Sequence, residues 1–333
     1  MADEQHFHTS SSRLIGQILS PVAVVLGSLA NFTTIIAIAR QPKLRTITNF
    51  FLINLAISDL LFSGFIGPLI STSFFVGWYK INESSPELCR IFPYIMYATG
   101  GATLFMVALV TLNRYVLIVH AYAYKTIFTK TRTGIILFTT WMIILCLLLL
   151  PATEIWGEFG YERSIDFCTF IRHPRRRGAR TFITAFCISL TIACVLFCNI
   201  RIYLVVRRSR ERVGGGLGSN GEANGVRNNA PSTNRPRRKD LKLIKMILTV
   251  FGVFGICNIP LVIILMVTKD YVEPTLHTVA LMLYWSSSLA NPLIYTVMNK
   301  QIRLALLSLL PFRKKGIRGL NINDDSTTHS YRQ

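Results

Sequence analysis

Charge is what this chain has least of. Of its 333 residues 16% are charged and 51% hydrophobic, where a soluble domain would carry about a quarter of its residues charged. Acids are scarcest, 16 Asp and Glu against 36 Lys and Arg. That balance points to an integral membrane protein. Several absences narrow the class. No run alternates apolar and polar residues with period two, which argues against a membrane barrel. The 7 cysteines show no zinc-site spacing, no metal-binding set is apparent, and Ser58 beside Asp59 has no histidine base nearby, so an enzyme is disfavoured. The glycine run Gly214-Gly215-Gly216 lacks the Gly-Lys-Ser/Thr ending of a phosphate-cradling loop. No half of the chain repeats, and one deep carboxylate stands alone, which weighs against a transporter. Residues 1–13 lack the charged start and short apolar core of a signal peptide and offer no adhesive domain, so the first span is expected to act as an uncleaved anchor.

What is present is apolar length. Stretches at 14–39, 47–73, 90–119, 133–151, 179–206, 241–267 and 275–298 each approach or exceed the roughly 20 residues a helix needs to cross hydrocarbon. The fold class is therefore all-α, a seven-transmembrane helix bundle spanning residues 14–310. Basic residues set its orientation. Arg40, Lys43 and Arg45 follow span one, and Lys125, Lys130 and Arg132 lie between spans three and four. Arg201 to Arg212 end span five, Arg237 to Lys239 begin span six, and Lys300, Arg303 and Arg313 follow span seven. All share one side if the N-terminus is extracellular. The net charge of +20 then forms a cytoplasmic rim suited to anionic lipid and not to nucleic acid. One cluster breaks the pattern: Arg172, Arg175, Arg176, Arg177 and Arg180 would lie outside. Cys89 and Cys168 fall on that oxidising face, where a disulfide between them is expected. Residues 213–236, rich in glycine and asparagine, read as a disordered cytoplasmic loop. Lys300 to Leu310 alternates basic and apolar groups, fitting a short amphipathic helix on the inner membrane surface. A cytoplasmic tail, 311–333, follows.

Two charges lie in the apolar runs. Asp59 sits within Ile47 to Phe62, and Arg114 ends span three. Ionisable groups at such depth are costly and usually functional. Cys89 and Arg114 are 25 residues apart, about 37 Å of helix, so span three carries its cysteine outside and its arginine at the inner edge. Around these residues the chain resembles the rhodopsin-like G-protein-coupled receptors. The marks are Gly27-Ser28-Leu29-Ala30-Asn31, Asn54-Leu55-Ala56-Ile57-Ser58-Asp59, Cys89 with Asn113-Arg114-Tyr115, Trp141, Tyr203, Phe254 with Cys257 and Pro260, and Asn291-Pro292-Leu293-Ile294-Tyr295.

The resemblance implies roles. Arg114 would pair with Asp240 at the inner end of span six, a latch that breaks when span six swings outward, or else snorkel to lipid headgroups. In the open state it would line a cavity for a heterotrimeric G protein, with Tyr203 and Tyr295 turned inward. Asp59, with Asn31, Thr103, Ser288 and Asn291, forms the cluster that in the family holds a sodium ion; the alternative is a hydrogen-bonded network without an ion. Beyond that candidate sodium no cofactor is implied. Pro260 and Pro292 would kink spans six and seven. Four positions depart from the family pattern. Asn113 replaces the usual acid, Asn258 the usual tryptophan, Val195 a proline, and Ile302 a phenylalanine.

The Asn113-Arg114-Tyr115 triplet is similar to a smaller group that includes the melatonin receptors, the medium-chain fatty acid receptor, and the insect receptors moody and trapped-in-endoderm. The intact Asn291-Pro292 pair weighs against a melatonin-like indole receptor. Several members of this group couple to inhibitory G proteins, and the serine- and threonine-bearing tail would offer arrestin a contact. Met96 stands where amine receptors carry aspartate, and Trp285 where opsins carry lysine. The expected cavity residues are Met96, Tyr97, Gly100, Gly101, Asn258, Leu261, Leu281, Tyr284 and Trp285, an apolar slot with one deep amide. Arg172, just beyond Cys168, would take an anionic head group bidentately; the alternative is a solvated loop whose arginines pair with nearby acids. The expectation is a plasma-membrane receptor for a small apolar or anionic lipid-like ligand.

Overall fold

A computed structural model of the chain describes residues 9–171, 178–214, 238–267 and 273–309, with side chains described over 9–171, 178–208, 248–264 and 273–309. The helices are α1 (Ser10–Arg40), α2 (Ile47–Leu61), α3 (Gly67–Val76), α4 (Trp78–Ser84), α5 (Pro86–Val119), α6 (Ala121–Ile127) and α7 (Lys130–Ala152). After a β-hairpin of β1 (Phe159–Glu162) and β2 (Phe167–Phe170) come α8 (Gly178–Gly214), α9 (Arg238–Val267), α10 (Pro274–Met298) and α11 (Lys300–Leu309). Spans one to seven are α1, α2 with α3, α5, α7, α8, α9 and α10. Each starts within a few residues of its apolar run, because the caps sit in the polar flanks. Thr9, Thr46 and Thr129 accept from the backbone N–H three residues on, which satisfies donors that a helix start leaves orphaned. Glu273 does the same for α10 through the Leu276 N–H at 2.6 Å, which holds its carboxyl below the usual range. That cap therefore persists at neutral pH and fades as pH falls through the lowered value.

Five of these rods, α1, α2 with α3, α5, α7 and Gly178–Arg208 of α8, are long and apolar enough to cross a membrane, and Leu248–Ile264 in α9 is a shorter apolar stretch. α10 is more polar because it faces inward: Thr278, Ser287, Ser288 and Asn291 are all buried. Large apolar side chains cover the outside instead, among them Phe32, Phe138, Ile143, Phe186 and Ile256. An apolar exterior over a partly polar interior suits lipid, not water.

α5 is the central strut, packing on α2, α7, α8 and α9. Span two is broken just beyond Asp59. Phe62–Ile66 is a π turn in which the Gly67 N–H reaches back to the Phe62 carbonyl. Pro68 explains it: lacking an N–H, it cannot serve the Gly64 carbonyl, and a one-residue bulge absorbs the mismatch. α11 lies against α1 and α10 with Ile302 and Ala305 buried, so Ile302 fills a packed position where the family often has phenylalanine.

The hairpin is the element the sequence reading missed. Phe159 pairs with Phe170, and Tyr161 with Cys168. The Cys89–Cys168 disulfide ties it to the start of α5. Asp166, in the left-handed region at φ 41°, turns the chain and accepts from the Tyr161 hydroxyl at 2.8 Å and the Tyr79 backbone N–H at 3.1 Å. Burial, and then Asp166, push the Tyr161 hydroxyl pKa well up, so it stays a donor at any physiological pH. Arg90 faces Glu154 at 3.7 Å on the same rim, an exposed pair worth little. Asp166→Ala should lower the stability of the purified protein by about 2 kcal/mol, the scale of hydrogen bonds to a charged acceptor. Asp166→Asn, which tolerates the left-handed turn, should retain most of it; a thermal-shift series checks both.

Candidate functional site

Asp59 is 3% exposed. Its Oδ2 accepts from Asn291 Nδ2 at 2.7 Å and its Oδ1 from Thr103 Oγ1 at 3.2 Å. Ser58 Oγ stands 3.0 Å from Thr103 Oγ1 and 2.8 Å from the Leu55 carbonyl. Each hydroxyl has one proton, so these three contacts share two protons and the pair can re-orient. α2, α5 and α10 thus meet on one carboxylate. The hydrogen bonds of Asn31 and Ser288 go elsewhere. Asn31 Nδ2 donates to the Gly27 and Ser288 carbonyls at 3.0 and 3.1 Å, and Ser288 Oγ donates to the Trp285 carbonyl. The Ser288 contact has a physical cause. Pro292 has no N–H for the carbonyl four residues earlier, and Asn31 supplies the missing donor. Asn31 Oδ1 is buried with no hydrogen-bond partner among the described residues.

Above this network lies a cavity of about 180 Å³. Met96, Tyr97, Gly100, Gly101, Asn258, Leu261, Leu281 and Tyr284 line it, with Phe167 and Thr169 from the hairpin. Asp59, Thr103 and Ser288 line it too, so cavity and carboxylate network are one continuous site. Gly100 makes room for Tyr284: a Cβ there would stand 2.8 Å from the Tyr284 hydroxyl, which would have to shift. Asn258 Nδ2 is held by the Phe254 carbonyl at 2.7 Å, which fixes the amide on the cavity wall. Trp285 corrects the sequence expectation. It is 3% exposed, packs edge-on to Phe62, and is not among the described residues that line the cavity. Arg172 lies outside the described residues. Arg180, from the same basic cluster, lines the cavity and was not singled out from sequence. It lies in the first turn of α8, which borders the hairpin, and with the hairpin unread nothing in the sequence set it apart from the rest of the cluster.

At the opposite end of α5 Asn113 is fully buried. It accepts from Thr48 at 2.9 Å and donates to the Tyr124 hydroxyl at 3.3 Å, joining α2, α5 and α6. The neutral amide serves one donor and one acceptor at once, which a carboxylate could not. Arg114 follows, half-buried. Asp240, its expected partner, belongs to the part of α9 whose side chains lie outside the described residues. The Tyr115 hydroxyl meets His120 Nε2 at 2.9 Å. Tyr203 points out, 62% exposed, while Tyr295 is 2% exposed, with its hydroxyl unpartnered among the described residues. Pro260 and Pro292 lie inside α9 and α10.

A bundle with these positions filled defines a class, and comparison with known proteins agrees. The sequence profile of the 7 transmembrane receptor (rhodopsin family) matches residues 30–295, and the chain belongs to that family of membrane receptors. Protein trapped in endoderm-1 of Drosophila melanogaster is 30% identical over 94% of this chain and 81% of its own length. G-protein coupled receptor moody of Drosophila melanogaster is 27% identical over 89% of this chain and 52% of its own. The chain thus spans about half the length of that relative. The crystal structure of squid rhodopsin superposes with a TM-score of 0.74 at 20% identity, covering 94% of this chain and 90% of that one, which shows the shared fold.

Asn291→Ala should leave Asp59 with one donor fewer and cost about 1–3 kcal/mol, the range for a buried group losing its partner. Thermal denaturation of the purified protein measures this, and an unchanged midpoint would contradict the assigned contact.

Proposed function

We propose that this chain is a plasma-membrane receptor, N-terminus outside, that converts a small apolar or anionic lipid-like ligand into nucleotide exchange on a heterotrimeric G protein of the inhibitory class. One observation carries the reading. Asp59 both floors the cavity and holds Asn291 beside Pro292 of α10. A ligand pressing on this floor would bias the register of α10, and with it the end of the bundle that carries Arg114. The basic rim of the loops supports the orientation. Membership of the rhodopsin family supports the G protein as partner, and the intact Asn291–Pro292 pair keeps the reading away from a melatonin-like indole receptor. The tail, outside the described residues, is the segment proposed to meet arrestin.

A sodium ion beside Asp59 belongs to the same reading. The donor set fits a hard cation: carboxylate, hydroxyl and amide oxygens, with the Asn31 amide oxygen buried and unpartnered among the described residues. Asp59, Thr103, Ser288 and Asn291 would hold it, and its charge would favour the resting state. Asp59→Asn should remove any dependence of basal exchange on sodium, with potassium as control.

The reading as a whole is tested with full-length protein in nanodiscs and a panel of Gα subunits. Basal or lipid-stimulated exchange is expected on at least one inhibitory Gα, and Arg114→Ala should reduce it by about tenfold or more, roughly 1.4 kcal/mol. Exchange on no Gα, together with solute flux across vesicles, would replace the receptor reading with a transporter.

A further inference from the structure

The cavity is roofed by the hairpin, and two of the residues that line its side also reach the outer surface of the bundle. Its roof is packed aromatic surface. The Tyr97 ring stacks on Phe159 at 6.0 Å and meets Phe170 edge-on at 5.0 Å, and the Tyr97 hydroxyl is 3.0 Å from Thr169 Oγ1. The disulfide fixes this roof to α5. The side wall differs. Ile143 of α7 and Phe186 of α8 line the cavity, yet they are 59% and 48% exposed on the outer surface of the bundle. α7 and α8 each pack on α5 and touch one another little. On α8 the exposed apolar groups Phe182 and Leu190 share the face of Phe186 at i, i+4 spacing, a surface suited to lipid.

Two charged side chains line the cavity: Asp59 on the floor and Arg180 near the roof. Arg180 lies in the first turn of α8, and Phe186 about 9 Å further along the same helix at a rise of about 1.5 Å per residue. A cation therefore stands at one end of an apolar path that emerges into hydrocarbon. The enclosed volume, about 180 Å³, is smaller than the roughly 300–1,000 Å³ of pockets that bury a drug-sized ligand. A long chain could not be swallowed whole. It could lie through the side opening with its far end still in lipid.

We propose that the receptor is loaded from the membrane: a single-chain amphiphile passes between α7 and α8 at Ile143 and Phe186, and its carboxylate or phosphate head ends on Arg180 beneath the hairpin. This rests on the lipid-like ligand of the proposed function, and replaces the loop residue Arg172 with Arg180 as the anchor. Guanidinium suits either head group, binding both oxygens of a planar or tetrahedral acid, and Tyr97 and Thr169 offer hydroxyl donors from the roof. Cost falls on neither partner's tail, because the chain exchanges one apolar surrounding for another. The head group's affinity for Arg180 then decides which amphiphile stays.

The test uses full-length protein in phosphatidylcholine nanodiscs and one photoreactive alkyl chain carrying a carboxylate, a phosphate or a neutral alcohol. The acids are expected to bind at least about tenfold more tightly than the alcohol, the size of one charge-assisted contact, and to label peptides of α7 and α8. The preferred acid identifies the source, fatty acid or lysophospholipid-type phosphate. Arg180→Gln should abolish the preference for acids, Arg180→Lys should keep part of it, and melting temperature reports folding in each. Ile143→Trp should reduce labelling, whereas Val25→Trp on the lipid face of α1 should not. Equal binding of acid and alcohol to the unaltered protein overturns the proposal without any variant. Labelling confined to α1, α9 or α10 overturns it as well. Acid binding that depends on Arg180 without nucleotide exchange on any Gα would uphold this inference and sink the receptor reading; exchange without such binding would do the reverse.

Discussion

One hydrogen bond organises this bundle, the 2.7 Å contact from the Asn291 amide to the Asp59 carboxylate. Apolar packing holds α1, α2 and α10 side by side, but it has no direction and would accept many small slips. A carboxylate out of water is different: it demands donors at fixed positions. Asn291 from α10 and Thr103 from α5 supply two, so three helices are registered against a single side chain. The neighbouring Pro292 creates a second demand, an orphaned Ser288 carbonyl, which Asn31 of α1 meets. Four helices are thereby locked at one level by polar groups whose alternatives are all unfavourable.

That arrangement explains how the two ends can communicate. Toward the hairpin, Asp59, Thr103 and Ser288 form the cavity floor; toward the other end, α5 runs down to Asn113 and Arg114. Whatever shifts the floor must break or re-pair contacts in a low-dielectric site, and such contacts exchange between discrete states. The proline in α10 and the π turn in α2 place weak points in the backbone just where these side chains meet, so re-pairing can move helix segments instead of straining them. At the far end Asn113 binds Thr48 and Tyr124 as a neutral amide.

Much of this was legible in the sequence, and the exceptions have causes. The helical spans announced themselves through apolar runs of bilayer length, and the Cys89–Cys168 bond through two cysteines on one face. Thr103 and Asn291 were placed near Asp59 by the resemblance to the receptor family. The hairpin could not be read, since strands of four residues such as Phe159–Glu162 are too short to show alternation. The π turn had a signal in Gly67-Pro68, but its form depends on which carbonyl Pro68 leaves bare. Trp285 was misjudged because depth does not give rotation, and its ring packs on Phe62. The contact made by the Asn31 amide nitrogen could not be read either, because its target is a carbonyl that Pro292 frees.

The coupling between Asp59 and Asn291 is the claim on which the rest stands, and exchanging the two residues tests it most directly. In a double-mutant cycle, Asp59→Asn and Asn291→Asp each break the donor–acceptor match, and the double exchange restores it in reverse. The account predicts a favourable coupling of about 1–3 kcal/mol in the thermal stability of the purified receptor, with nucleotide exchange recovering in the same direction. Losses that simply add, with the double variant no better than the sum of the singles, would contradict it.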